Sequence, residues 1–205
     1  EADLSGFIGA EPFAPPLPRR PSRFTVVPTP RHCDLGGAVR VAAGAVTIHG
    51  APPGARAVLE TGLARFGVAI VDGAGWPITF AVDPAIGAEE SYTVDVDAGG
   101  MQVRAATAVG LVRGAATGRQ LVRPGPDGLV VERCHIDDAP VVPLRLLAGW
   151  GLYRTHRLDW ALEVAVEGKF NRVLYNWWTA APEHRLGPTE TALVERARSF
   201  GIELV

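Results

Sequence analysis

The sequence predicts an α+β layer, in which two helices cover one face of a β-sheet, followed by a run of parallel βα units. Two observations support this fold class. A hairpin pattern with one apolar face stands directly before a helix that carries a narrow stripe of glycines. After Pro140 the order of elements changes to strand, helix, strand, helix, strand, which is typical of right-handed parallel βα connections.

The chain divides into three predicted segments. Residues 1–22 are rich in proline, a composition that favours an extended leader or a surface arm. Residues 23–139 contain the predicted α+β layer, in which a sheet is covered by two helices. Residues 140–205 contain the predicted parallel βα units.

The first half of the α+β layer is predicted to contain short strands around one helix. The strand-like stretches are residues 23–27, 38–48, 67–71 and 77–82. The helix begins at Pro53 and ends at Gly67, because proline suits the first helical turn and glycine suits the position after the last turn. Its predicted inner face consists of Val58, Leu59, Gly62, Leu63 and Phe66.

The clearest local pattern is a β-hairpin over residues 91–105. Apolar side chains occupy every second position of SYTVDVD and MQVRA, namely Tyr92, Val94, Val96, Met101, Val103 and Ala105. The two stretches are joined by Ala-Gly-Gly at residues 98–100. This alternation predicts two paired strands with one buried face.

The next helix, predicted over residues 107–122, has glycine at positions 110, 114 and 118. A glycine costs about 1 kcal/mol relative to alanine inside a helix, so three of them require a packing reason. At about 100° per residue the three glycines share one narrow face, and a face without side chains lets the backbone lie close to a neighbour. We therefore expect this helix to cover the hairpin. The side chains expected to point away are Arg113, Thr117 and Gln120.

Three apolar stretches after Pro140 are predicted as parallel strands, at residues 143–153, 170–178 and 202–205. The helix between the first two is predicted near residues 157–167, with Gly168 as its stop and with Leu158, Ala161, Leu162 and Ala165 facing inward. The second helix begins at Pro188 and ends at Gly201, with Leu193, Ala197 and Phe200 facing inward.

The composition argues against several classes of partner. The 20 Lys and Arg residues against 22 Asp and Glu residues give a net charge of −2 without a basic stripe, so no nucleic acid partner is expected. No apolar run approaches the roughly 20 residues of a transmembrane helix, so no membrane partner is expected. The first 20 residues lack a signal-peptide pattern, and both a secreted and a cytoplasmic location stay open.

The two cysteines are predicted to be free thiols, because Cys33 and Cys134 fit no disulfide framework or zinc spacing. The stretches His-Cys-Asp at 32–34 and Cys-His at 134–135 would form a soft metal site only if they met in space. Their spacing does not indicate that they meet. No metal and no other cofactor is therefore predicted.

Three motifs resemble the domain junction of the family 20 glycoside hydrolases, the β-N-acetylhexosaminidases. They are MQVRAATAVGLVRGAATGRQLV, then IDDAP, then PLRLLAGW. The stretch WGLY followed by NRVLYNWW is even more similar to the divergent family 67 α-glucuronidases and family 84 enzymes. In these families a small α+β domain precedes a catalytic (β/α)8 barrel. The resemblance implies that residues 23–139 are an accessory domain and that residues 140–205 are about three βα units of a partial barrel.

The resemblance also implies a carbohydrate substrate and three residues that bind it. Arg145 matches an arginine that opens the first barrel strand and holds sugar hydroxyls, a role that suits a planar guanidinium. Trp150 stands where hexosaminidases have an aspartate, and it either stacks on a sugar or fills the top of the barrel. Asn176 lies beside Trp177 and Trp178 at the end of the second strand, where an amide next to an indole face suits a sugar.

No catalytic residue is predicted in this chain. Family 20 enzymes use an adjacent Asp-Glu pair near the end of the fourth barrel strand, and this chain stops at the third. Asp137 and Asp138 lie before the barrel, and we expect them to act in a turn or as a cap.

The leading hypothesis is the N-terminal portion of a glycoside hydrolase that is inactive alone. In this hypothesis the remainder of the barrel supplies the catalytic acid, and the isolated chain self-associates through its open strand edges. One alternative is a non-catalytic module that binds carbohydrate or protein. The other is one chain of a two-chain glycosidase, in which a second polypeptide completes the barrel.

Overall fold

The computed structural model describes residues 26–148, 155–174 and 188–205. The described strands are β1 (His32–Val41), β2 (Ala45–His49), β3 (Ala69–Ile70), β4 (Trp76–Val82), β5 (Tyr92–Val96), β6 (Met101–Ala105), β7 (Val122–Gly125), β8 (Gly128–Asp138), β9 (Leu146–Leu147), β10 (Arg172–Val173) and β11 (Glu203–Leu204). The described helices are α1 (Pro53–Arg65), α2 (Ala108–Gly118), α3 (Thr155–Glu167) and α4 (Pro188–Ser199), with short 3-10 turns at Pro84–Ile86 and Arg119–Leu121.

The large sheet has eight strands in the order β1-β8-β5-β6-β4-β2-β3, with β7 paired to β8. The run β6, β4, β2 and β3 is parallel, whereas β1, β5 and β7 pair with β8 in antiparallel fashion. The predicted strand stretches 38–48, 67–71 and 77–82 overlap β1 to β4, while 23–27 lies mostly outside the described residues. The long strand β8 was not predicted. The described N-terminal part is therefore a mixed sheet of the α+β class, as the sequence predicted.

The predicted hairpin is confirmed. Strands β5 and β6 pair antiparallel, with Val94 opposite Val103 and Tyr92 opposite Ala105. All six side chains of the predicted apolar face are buried. The two-residue alternation therefore fixed both the register of the pair and the face that packs against the helices.

The packing role of the glycine stripe is also confirmed. A methyl group added at Gly110 would lie 2.8 Å from the Cβ of Ala105 in β6. At Gly118 it would lie 2.6 Å from the Sδ of Met101, and at Gly114 it would overlap a methyl of Val103. Helix α2 thus lies directly on the hairpin, at a separation that side chains larger than glycine would prevent.

The predicted outer face of α2 is wrong for two of its three residues. Arg113 and Thr117 are fully buried rather than exposed. The reason is that α2 is covered on both sides, because α3 packs against it and the end of α4 reaches Arg113. The prediction for α1 also needs one correction, since Phe66, expected on the inner face, follows the end of the helix and is 46% exposed.

The parallel units are confirmed in the described ranges. Strands β9, β10 and β11 pair in parallel in the order β11-β10-β9, with α3 and α4 between consecutive strands. The predicted inward side chains of α3 and α4 are buried, namely Leu158, Ala161, Leu162, Ala165, Leu193 and Ala197, together with Phe200. Gly168 is not the left-handed residue after α3, because Lys169 takes that conformation with φ of 55°.

No helix in the described part of the chain is long and apolar enough to span a bilayer.

Replacing Gly114 by leucine is expected to destabilise the protein by about 1–3 kcal/mol, because the added side chain would have to displace Val103 or lift α2 from the sheet. The free energy of unfolding, measured by urea titration, checks this. The matched control is Gly73→Leu, at a position where nothing lies within 4 Å of an added Cβ. A Gly114→Leu protein as stable as this control would show that the helix does not depend on the stripe.

Candidate functional site

The large sheet and the parallel units meet at a buried group of polar side chains, called here the junction cluster. Its members are Glu90, Tyr92, Arg113, Thr117, Asp138, Arg145 and Lys169. They come from the approach to β5 and its first residue, from α2, from the end of β8, from the residue before β9 and from the second residue after α3. The cluster therefore gathers side chains from both parts of the described fold.

Glu90 forms the first half of the cluster. One of its oxygens, Oε2, accepts a hydrogen bond from Nε of Arg113 at 2.7 Å and another from Nη2 of Arg145. The remaining guanidinium nitrogens of Arg113 donate to the carbonyl oxygens of Phe200 and Gly201, at 3.3 and 3.0 Å, just after α4. A single carboxylate thus links the end of α4 and the start of β9 to the α+β layer.

Asp138 forms the second half. Its Oδ2 accepts from the hydroxyl of Tyr92 at 2.6 Å and from Nζ of Lys169 at 2.9 Å, and Nζ also donates to the Tyr92 hydroxyl at 2.6 Å. The hydroxyl of Thr117 lies 2.7 Å from that of Tyr92. Since the Tyr92 proton goes to Asp138, Thr117 is the donor to Tyr92. Each polar group in this half therefore has a protein partner.

The two halves are joined through Lys169. Nε of Arg145 donates to the backbone carbonyl of Lys169 at 2.7 Å, while the side chain of Lys169 reaches Asp138. The left-handed backbone of Lys169 is unfavourable for a residue with a side chain, by about 1–3 kcal/mol. The contacts of its buried ammonium group provide the compensation.

The surroundings shift the pKa values of four members. Burial alone would raise the pKa values of Glu90 and Asp138, but hydrogen bonds and charges from Arg145 and Arg113 lower the first, and those from Tyr92 and Lys169 lower the second. Burial lowers the pKa of Lys169 in spite of Asp138, and burial together with the charge of Asp138 raises that of Tyr92. The cluster keeps its carboxylates ionised and its phenol protonated, an arrangement that serves binding between segments better than proton transfer.

A cavity of about 600 Å³ opens beside Glu90. Its polar lining includes Asn171, Arg172, Arg198 and Glu203, and Arg172 pairs with Glu203 at 2.8 Å. Asn171 and Arg172 mark the amino end of β10. Substrate sites of parallel βα units lie at the opposite, carboxyl ends of the strands. The cavity is therefore on the side of the parallel units that faces away from the expected sugar site.

Of the three residues predicted to bind sugar, Arg145 lies within the described residues. Arg145 lies at the amino end of β9, and its guanidinium contacts Glu90 and the carbonyls of Val142 and Lys169. Trp150 and Asn176 lie outside the described residues. A sugar-binding role for Arg145 stays a prediction, and the described contacts of its donors are with protein groups.

The two Cys-His stretches do meet, contrary to expectation, because β1 and β8 pair and bring Asp34 opposite His135. On the exposed face Nδ1 of His135 lies 2.6 Å from Asp95, and the rings of His32 and His135 are 6.1 Å apart. Both thiols are free, and burial with the neighbouring Cys33 raises the pKa of Cys134 to about 12. Within the described ranges no three His, Cys, Asp or Glu side chains are grouped so as to hold a metal.

The expectation for Asp138 is wrong. It does not act in a turn or as a cap, because it is the last residue of β8 and its side chain is buried in the junction cluster. The signal was available in part. Asp138 continues the two-residue alternation of Cys134 and Ile136, which places it on the inner face of the strand.

Acid is expected to destabilise the protein through the junction cluster. Because the pKa values of Glu90 and Asp138 are lowered by folding, both carboxylates stabilise the protein above their ordinary pKa of about 4, and this stabilisation is lost as the pH falls through the lowered values. Urea titrations at a series of pH values should show a decreasing free energy of unfolding below about pH 5.

Glu90→Gln and Asp138→Asn should each flatten this decrease. Glu60→Gln, which removes an exposed carboxylate paired with Arg56 on α1, serves as the matched control and should keep the parent slope. If the free energy of unfolding fell equally steeply with pH in the parent and in all three variants, the junction cluster would not be the source of the acid sensitivity.

A family model described as glycosyl hydrolase family 20, domain 2, matches residues 23–139, which is more than half of the 205 residues. No curated protein sequence matches the chain.

Several solved structures share the fold. The exo-β-N-acetylglucosaminidase of Vibrio harveyi, in complex with N-acetylglucosamine, is 16% identical with a TM-score of 0.68, over 86% of this chain and 35% of that chain. The N-acetyl-β-hexosaminidase of Streptomyces plicatus is 21% identical with a TM-score of 0.67, over 92% of this chain and 46% of that chain. The β-N-acetylhexosaminidase of Bacteroides fragilis is 18% identical with a TM-score of 0.66, over 89% and 44%. This chain thus spans less than half the length of these structures.

Proposed function

Because the chain belongs to glycosyl hydrolase family 20, domain 2, we propose that it is part of a glycoside hydrolase that acts on N-acetylhexosaminides. In this proposal residues 1–22 are an arm, residues 23–139 are an accessory domain, and residues 140–205 are the first βα units of a (β/α)8 barrel. The accessory domain holds those units in place and does not contact the substrate.

The observation that carries this proposal is the extent of the structural likeness. The likeness to the Streptomyces plicatus enzyme covers 92% of this chain, so it cannot be limited to the span 23–139 that the family model matches. The parallel order of β9, β10 and β11 supports the same proposal, because a (β/α)8 barrel is built from parallel strands joined by helices.

The two carboxylates of the junction cluster are not proposed as the acid for glycoside cleavage. The carboxylate of Asp138 accepts hydrogen bonds from Tyr92 and Lys169, and that of Glu90 accepts hydrogen bonds from two arginines. Neither carboxylate lies at the carboxyl end of a parallel strand, where substrate binds in this architecture. In the proposed enzyme the catalytic pair follows a fourth barrel strand, as the family resemblance implies.

Arg145, Trp150 and Asn176 are the proposed substrate-binding residues of this chain, and the last two stand at equivalent places after consecutive strands. Trp150 follows β9 by three positions and Asn176 follows β10 by three positions, so both come after the carboxyl end of a parallel strand. An indole ring offers a flat apolar face to a sugar ring, and an amide offers both a donor and an acceptor to its hydroxyls.

The 205-residue chain alone is expected to release no 4-nitrophenol from 4-nitrophenyl N-acetyl-β-glucosaminide, because the proposal assigns the catalytic pair to a fourth barrel strand. The natural-length protein, meaning the whole polypeptide as its source organism produces it, is expected to release 4-nitrophenol from this substrate. Turnover by the isolated chain that survives repurification would contradict the assignment of catalysis to other residues. A natural-length protein without hydrolase activity would contradict the proposed function itself.

In the natural-length enzyme, Trp150→Ala should lower kcat/KM by about tenfold or more, as expected for the loss of one stacking contact. The matched control is Trp160→Ala, which removes a tryptophan that is 59% exposed on α3. Equal kcat/KM values for the two variants would show that Trp150 does not contact the sugar.

A further inference from the structure

The two parts of the described fold are joined by side chains and helix ends rather than by strand pairing. Among the strands that the structure describes, none pairs the eight-stranded sheet with the three-stranded sheet. The contacts between them include apolar packing of α3 against α2, the approach of α4 to α1, and ion pairs of Arg65 with Glu163 and of Arg119 with Glu167. The junction cluster is the part of this interface in which the paired charges are most deeply buried.

We propose that the junction cluster is a latch: its contacts at Glu90 and Asp138 hold the parallel units in their folded order, and removal of either carboxylate loosens those units while the α+β layer stays folded. This inference goes beyond the proposed function, because it concerns how the two parts are coupled and not which glycoside is cleaved.

The α+β layer has its own basis for stability. The sheet has eight strands, and α1 and α2 bury a continuous apolar core against it, with Val94, Val103 and Leu59 fully inaccessible. In contrast, β9, β10 and β11 each contain two residues in the described part. Elements with few strand hydrogen bonds open at lower free energy than long core strands, so the parallel units are the part that a broken latch releases first.

The chemistry of Glu90 makes the latch sensitive to a small change. Its Oε2 accepts from both arginines, and the side chain of Arg113 is completely buried. Removing the negative charge leaves a buried cation without its counter-ion, a change that is strongly unfavourable. Loss of this charge would affect the parallel units at two places. Arg113 donates to the carbonyls of Phe200 and Gly201 just before β11, and Arg145 directly precedes β9.

Asp138 acts on the same units through Lys169. The ammonium group of Lys169 has Asp138 and Tyr92 as partners, and the backbone of Lys169 is left-handed. Without Asp138 the buried ammonium loses its counter-ion, and the loop between α3 and β10 loses the contact that compensates its backbone strain. Arg145 donates to the carbonyl of Lys169, so a shift of the Lys169 backbone would also displace Arg145 at the start of β9.

Hydrogen exchange measured by mass spectrometry on the full 205-residue chain tests the latch. In Glu90→Gln and Asp138→Asn, the amides of Leu174, Ile202 and Val205 should exchange at least about tenfold faster, because these N–H groups bond within the parallel units. The amides of β5 and β6 should exchange at the parent rate. Glu60→Gln, with an exposed carboxylate on α1, should leave both sets unchanged.

A variant that keeps both charges makes the test decisive even if a charge variant does not fold. Tyr92→Phe removes only the hydroxyl that bonds to Asp138 and Lys169 and keeps both charges, whereas the control Gly73→Ala meets nothing within 4 Å. The latch predicts faster exchange in the parallel units of Tyr92→Phe and the parent rate in Gly73→Ala. Unchanged exchange in those units, or an equal increase in β5 and β6, would overturn the proposal. Neither result depends on glycosidase activity, so a failed latch would leave the proposed function untouched.

Discussion

The constraint on which the fold most depends is the neutralisation of Arg113. Its guanidinium is buried between the large sheet and the parallel units, where an unpaired charge would be strongly unfavourable. Glu90 meets this requirement and simultaneously pairs with Arg145, so one carboxylate bonds to both parts of the chain. The glycine stripe belongs to the same constraint, because only a helix pressed against the hairpin carries Arg113 into that space.

Much of the fold could be predicted from the sequence because its signals are local. The hairpin β5–β6, the glycine face of α2 and the inward residues of α3 and α4 all follow from side-chain periods of two or 3.6 residues. The pairing of β1 with β8 could not be predicted, because its partners lie about a hundred residues apart and each strand carries charged side chains. Because the pairing of β1 with β8 was not predicted, the proximity of the two Cys-His stretches was not expected either.

The junction cluster was harder to predict than the elements around it. Arg113 and Thr117 looked like the outer face of an amphipathic helix, because a sequence window shows one covered face and not a second covering layer. The sequence around Lys169 does not indicate its left-handed backbone. Glycine is the residue that commonly ends a helix in this conformation, so Gly168 was expected there, whereas Lys169 adopts it because of its tertiary contacts. Arg145 was identified as important through the family resemblance, while its partner Glu90 could only be found in space.

The position of Lys169 bears on how such proteins can be recombined. In the chain it belongs with the βα segment, yet its ammonium group is bound by Tyr92 and Asp138 of the preceding layer. A chimaera spliced near residue 140 from two members of the family would therefore bring together a lysine and an acceptor pair that had not evolved side by side. Successful module exchange in this architecture would need to transplant these three residues, and the Glu90 carboxylate with its two arginines, as indivisible units.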